Sequence, residues 1–261
     1  MKMPAIHEQK LVDGLGYRSK IGVLVPATNT IAQPEYEALK PYGVTNHVAR
    51  MEPSKRGSTI GDMDAYQRSL AQGPEHIKAA IDQIVPCEPD AIVLGHSIDT
   101  FRGGVNGANS LQSDLESHAS GVPVILPSIS FLAALETLDV GKKIGLLTPY
   151  WPPGDAQVES FFRDAGFEIT QTIGLSCPGP LAIAATPVNT VINALKELAK
   201  SKPDIIVQPG TNLPTLGLTE QVENWLGRPF LSCNAATFWH CLRSLGLNDK
   251  IPSYGSLFWN Y

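Results

Sequence analysis

The chain has 261 residues, of which 43% are hydrophobic and 17% charged, with 25 acidic against 20 basic side chains and a net charge of −5. That is too apolar for a globally disordered chain, and with no long basic run it lacks the face a nucleic-acid binder needs. No apolar stretch reaches the roughly 20 residues that cross a bilayer, and the polar start MKMPAIHEQKLVDGLGYRSK has no apolar signal-peptide centre. The expectation is therefore a cytoplasmic protein that engages neither membrane nor nucleic acid. Cys87, Cys177, Cys233 and Cys241 form no CxxC pair and read as reduced thiols.

In chain order, the first predicted strand is Ile21–Pro26, followed by helices over Glu35–Leu39 and Gly73–Ile84. A strand at Ala91–Gly95, a helix at Gly107–His118, a strand at Val122–Leu126 and a helix at Phe131–Leu138 complete the first half. The second half reads as strand Lys143–Thr148, helices Asp155–Ala165 and Thr190–Lys200, strand Ile205–Gln208, helix Thr219–Trp225, strand Pro229–Ser232 and helix Thr237–Leu245. The strands are β-branched or leucine-rich runs with little alternation, as parallel strands buried on both faces require. Strand–helix alternation makes the fold class α/β.

The two halves repeat each other. IGVLVPATN (Ile21–Asn29) is answered by IGLLTPYWP (Ile144–Pro152), PDAIVLGHS (Pro89–Ser97) by PDIIVQPGT (Pro203–Thr211), and GVPVILPSISF (Gly121–Phe131) by GRPFLSCNAATF (Gly227–Phe238). Three blocks in the same order predict two pseudo-symmetric Rossmann-like halves whose parallel sheets face a shared cleft. The N-terminal half is expected to comprise residues 1–122 plus 232–261, and the C-terminal half 123–231.

Ligands of open parallel sheets sit beyond the carboxyl ends of the strands. Residues 26–30, 95–99, 127–130, 149–151, 209–212 and 233–235 are therefore expected to line the cleft. They offer Thr28, Asn29, Gly95, His96, Ser97, Tyr150, Gly210, Thr211 and Asn212, which is many small polar groups and little charge. Hydroxyls, amides and backbone N–H groups at such turns can cradle a carboxylate. The same residue types also serve simply as turn and cap residues. His96 is the one histidine at a predicted strand end facing the cleft, and reads either as an acid/base or as a buried, hydrogen-bonded imidazole. No Walker loop or GxGxxG is present, GHSID lacks the second glycine of a nucleophile elbow, and the histidines show no metal-ligand spacing. No metal and no cofactor are expected.

The residues also carry a resemblance. IGVLVPATNT (Ile21–Thr30), LGHSIDTFRGG (Leu94–Gly104), LLTPY (Leu146–Tyr150) and PGTNLPT (Pro209–Thr215) resemble loops of the aspartate/glutamate racemase superfamily, in its maleate isomerase and arylmalonate decarboxylase branch. The similarity runs roughly from Ser19 to Phe258. It implies two strand-end cysteines, one from each half, on either side of the substrate; the matching positions here are Gly95 and Gly210. It also implies that Asn29, Ser97, Tyr150, Thr211 and Asn212 bind the carboxylate, and that dimers are common, so a homo-oligomer is compatible with the chain.

With both thiols replaced, the expected function is a cofactor-independent enzyme on a small carboxylate, of decarboxylase or lyase type, with His96, Ser97 and Tyr150 as catalytic groups. An alternative is a hydrolase or hydratase that opens a small cyclic imide, lactam or lactone, with a His96-activated water occupying the room left by a missing thiol. A non-catalytic carboxylate-binding protein is a third reading. A maleate-type cis–trans isomerase is a fourth, and it requires Cys233 to reach the cleft.

Overall fold

The structure, a computed structural model, describes residues 12–52 and 62–261. His7 and most of the polar N-terminal segment lie outside the described residues. The elements run β1 (Ser19–Pro26), α1 (Ala32–Leu39), β2 (Val44–Met51), α2 (Met63–Ile84), β3 (Ala91–Leu94), α3 (Gly104–His118), β4 (Val124–Ile125) and α4 (Pro127–Leu138). The second series is β5 (Lys143–Thr148), α5 (Pro152–Asp164), β6 (Glu168–Gly174), α6 (Pro180–Ala184), α7 (Val188–Lys200), β7 (Ile205–Gln208), α8 (Thr219–Leu226), β8 (Phe230–Ser232), α9 (Cys233–Ser244) and α10 (Ser256–Asn260).

Two parallel four-stranded sheets result, ordered β2-β1-β3-β4 and β6-β5-β7-β8. The orders are the same, so the repeated blocks correspond to one topology used twice. Strand alternation assigns side chains to two layers. Ile21, Val23 and Val25 of β1 join Ile144 and Leu146 of β5 and side chains of α1, α4, α5 and α9 in a central core between the sheets. Leu24, Ile92 and Leu94 face outward to α2 and α3, and Leu147 and Ile206 to α7 and α8.

The repeated Pro-Asp dipeptides are struts. The Lys20 N–H donates to Asp90 Oδ2 at 2.9 Å and the Asp90 N–H returns to the Lys20 carbonyl at 2.8 Å. Lys143 and Asp204 repeat this pair at 2.9 and 2.8 Å. Likewise, Glu116 accepts from the Val124 N–H at the start of β4, and Glu223 from the Phe230 N–H at the start of β8, both at 3.1 Å.

Two strands, β2 and β6, are absent from the sequence expectation. Both are edge strands, mixed in burial and polar in sequence, so they show no apolar run. Several helices begin earlier than expected because they start directly at strand ends: α9 starts at Cys233 rather than Thr237, and α4 at Pro127 rather than Phe131. The strand Val124–Ile125 pairs with β3, so the first sheet extends past residue 122, where the sequence division closes the N-terminal half. Past residue 232, α9 packs on α1 and α4.

Candidate active site

The polar strand ends of the two sheets meet along one seam. Asn29 follows β1, and its Oδ1 accepts the N–H groups of Ile31 and Ala32 at 3.0 and 2.9 Å, which fixes the turn into α1. That leaves Nδ2 aimed across the seam, 3.3 Å from the Gly95 carbonyl and 3.2 Å from Thr211 Oγ1. Ser97 Oγ and Tyr150 OH lie 2.8 Å apart, and Tyr150 OH is 3.4 Å from the Pro209 carbonyl. Asn212 accepts from the Thr30 N–H at 3.1 Å and donates to the Pro180 carbonyl of α6 at 2.7 Å, clasping both halves and the α6 segment. Asn29, Ser97, Thr211 and Asn212 are all buried.

The expected set thus converges in part. Asn29, Ser97, Tyr150, Thr211 and Asn212 share the seam. Thr28 is half-buried on the same turn, with no role fixed by its contacts. His96 sits at the same strand end, half-buried, with Nε2 2.9 Å from Asp99 Oδ2. Asp99 itself lies close to Gly73 of α2. Among the described residues no three His, Cys, Asp or Glu side chains gather as a metal set would.

Two expectations are corrected. Gly95 and Gly210 do not leave open space at their Cβ positions. A Cβ on Gly95 would stand 2.6 Å from Val25 Cγ1 and 3.0 Å from the Leu24 carbonyl, and one on Gly210 2.6 Å from the Pro149 ring and 2.9 Å from Gln208 Nε2. The space of the missing side chains is filled by neighbours. Nor does the Gly95 N–H face a ligand, since it donates to the Leu24 carbonyl at 2.7 Å. Cys233, directly after β8, is the first residue of α9 and fully buried, with its thiol in hydrogen-bond contact with Ser97 and Thr237 and raised far above the ordinary range by burial.

Sequence reasoning missed Glu35. Its carboxyl is withdrawn from solvent and accepts from the Thr215 and Leu216 N–H groups at 3.2 and 3.0 Å and from Asn234 Nδ2 at 2.6 Å. Burial pushes it up to about 7 against those three donors, which pull it down. A signal was available: Ala32, Tyr36 and Leu39 form the buried stripe of α1, and position 35 completes its i, i+3, i+4, i+7 pattern.

Two α/β halves of one topology, closing on a polar seam of strand ends, define an aspartate/glutamate racemase-like protein. Within that class the chain belongs to the arylmalonate decarboxylase family, whose sequence model matches residues 21–258. It is 25% identical over 243 residues to a maleate isomerase of Geobacillus stearothermophilus, covering 91% of this chain and 96% of that one. A maleate isomerase of Pseudomonas putida is also 25% identical, over 252 residues and with the same coverage of each chain. Among solved structures, a Nocardia farcinica maleate cis–trans isomerase mutant carrying a succinylcysteine intermediate superposes with a TM-score of 0.82 at 24% identity, covering 92% of this chain and 98% of that one. A liganded arylmalonate decarboxylase mutant gives 0.75 at 22% identity, covering 92% and 98%.

Proposed function

We propose that the protein is an enzyme of lyase type that decarboxylates a small carboxylate, with His96 as its proton donor. The observation that carries this reading is the His96–Asp99 pair at 2.9 Å, one residue before the Ser97–Tyr150 hydrogen bond. A carboxylate entering the seam replaces weak internal bonds. The two Asn29 Nδ2 contacts and the Tyr150–Pro209 contact, at 3.2 to 3.4 Å, are at the long end for hydrogen bonds, and a charged acceptor competes well for such donors.

In the proposed reaction the bond from the α-carbon to one carboxylate breaks and that group leaves as carbon dioxide. The bonding pair passes into the remaining carboxyl as an enediolate, whose charge Asn29, Ser97 and Tyr150 stabilise; preorganised donors of this kind supply several kcal/mol. Thr28, Thr211 and Asn212 frame the substrate. His96, oriented by Asp99 through Nε2, delivers a proton from Nδ1 to the α-carbon and regains one from water. Atoms and charge balance without a cofactor.

The names of the curated relatives favour a second reading, maleate-type isomerisation. That chemistry needs a thiolate. Gly95 and Gly210 supply none, and Cys233 is buried with its thiol held protonated.

The experiment is a thermal-shift screen of maleate, arylmalonates, hydroxy-dicarboxylates, cyclic imides and lactones, followed by mass spectrometry. Loss of carbon dioxide from a stabilising ligand is the expected result. Uptake of water, or fumarate from maleate, overturns it. With the substrate in hand, His96→Ala should lower kcat by about 100-fold or more, as loss of a general acid does, with little change in binding; unchanged turnover removes His96 from the mechanism.

A further inference from the structure

The buried Glu35 is not used in that chemistry. It nevertheless ties together three pieces of the molecule: its own helix α1, residues 215–216 of the second half, and Asn234 at the second position of α9. Asn234 spends both amide hydrogens. One goes to Glu35 Oε2 at 2.6 Å, the other to the Thr211 carbonyl at 2.9 Å, while its own Oδ1 is buried without a partner. Thr211 in turn holds Asn29.

We propose that Glu35 is a proton-responsive positioning residue, which sets the Thr211 side of the cleft through the amide orientation of Asn234. The chemistry follows from donor counting. An ionised carboxylate accepts from all three of its donors. A protonated one must donate from one oxygen, and Oε1 already receives two backbone N–H groups, so the proton falls on Oε2, directly opposite an N–H of Asn234. Two donors then face each other. Turning the amide over resolves the conflict, since Oδ1 comes round to accept from Oε2–H. The same turn takes the N–H away from the Thr211 carbonyl and sets an oxygen against it.

The groups around Glu35 leave this switch to Glu35 itself. Tyr36 on its own helix and Cys233 on α9 are both pushed upward by burial and stay neutral near pH 7. The 213–216 loop meets Glu35 with backbone N–H groups. β1 and β2 contribute Ile21, Val23, Val25 and Val44 to the adjoining core, and Arg50 at the end of β2 is turned to Gln33 and the Asn29 carbonyl. Burial places the Glu35 transition near pH 7, where modest acidification moves it.

The test is a pH titration of isotopically labelled protein by NMR, from pH 5 to 9, following the Glu35 carboxyl, the Asn234 side-chain amide and Thr211. All three should shift together in the wild-type chain, which needs no variant to fold. In Asn234→Ala, Glu35 should still titrate while the Thr211 response falls severalfold. In Glu35→Gln, the coupled transition should vanish. A Thr211 response unchanged in Asn234→Ala, or no Glu35 transition within that range, overturns the proposal. A kinetic arm rests on the carboxylate reading. KM for the consumed carboxylate should rise about fivefold on acidification through pH 7, the order expected for loss of one hydrogen bond, and Glu35→Gln should hold the high value at all pH. If no substrate is found, that reading fails alone and the titration still decides this one.

Discussion

The two halves share a scaffold but differ at their strand ends, and the difference separates what folds the protein from what it uses. The struts at Asp90 and Asp204, and at Glu116 and Glu223, occur in both halves with near-identical geometry. The strand ends diverge. The first half supplies Asn29, the His96–Asp99 pair and Ser97; the second supplies Tyr150, Thr211 and Asn212. Symmetry that survives in the struts and fails at the seam is what a duplicated scaffold with a single specialised cleft should show.

The contrast is sharpest at the second residues of the matched helices α4 and α9. Ser128 and Asn234 occupy that position. Ser128 donates its backbone N–H to Thr100 Oγ1 at 3.3 Å and leaves its hydroxyl unpartnered, whereas Asn234 is locked to Glu35. The start of α9 thus bonds a carboxyl where the start of α4 bonds a threonine hydroxyl. The largest predicted effect comes from this asymmetry. A carboxyl raised from 4.5 to about 7 binds its proton more tightly in the folded state. Its contribution is therefore fully present below the unfolded value and is lost as pH rises through 7. At about 1.4 kcal/mol per pKa unit, the wild-type chain should lose roughly 3 kcal/mol relative to Glu35→Gln between pH 4.5 and 8. Urea unfolding of both proteins across that range measures it; parallel curves would mean that the acid is not buried as described.

The glycines at the matched strand ends, Gly95 and Gly210, test whether the halves are equally tight. Alanine at either position drives a Cβ into a stiff neighbour, Val25 in one case and the Pro149 ring in the other. Each substitution should cost about 2 kcal/mol, the usual price of overpacking. A neutral Gly210→Ala beside a costly Gly95→Ala would show the second half to be the more yielding wall.

Much of this was legible in the sequence, for a definite reason. Strands buried on both faces announce themselves as apolar runs, so β1, β3, β5, β7 and β8 are readable within a residue or two. The repeat carried the topology, and strand ends carried the seam. The edge strands β2 and β6 were not readable, since half-exposed strands have no such run. The packing at Gly95 was hidden too, because an absent side chain says nothing about what fills its place. The spacing of α1 marks position 35 as part of its buried stripe, but only the fold shows the loop from the other half that gives the Glu35 carboxyl its partners.

The smallest predicted effect tests the shared scaffold directly. Asp90 accepts the Lys20 N–H and also the Ser19 hydroxyl at 3.1 Å, while Asp204 accepts the Lys143 N–H. Both are half-buried, so water can replace part of what is lost. Asp90→Ala and Asp204→Ala should each cost about 1–2 kcal/mol, the range for one charge-assisted bond in partial contact with solvent, with Asp90 the larger by its extra hydroxyl. Asparagine at either position keeps an acceptor oxygen and should recover part of the loss. Because α1, α4, α5 and α9 share one core between the sheets, both variants should unfold in a single transition. Two separate transitions, with each substitution shifting only its own half, would mean that the seam holds the halves together more weakly than that common core implies.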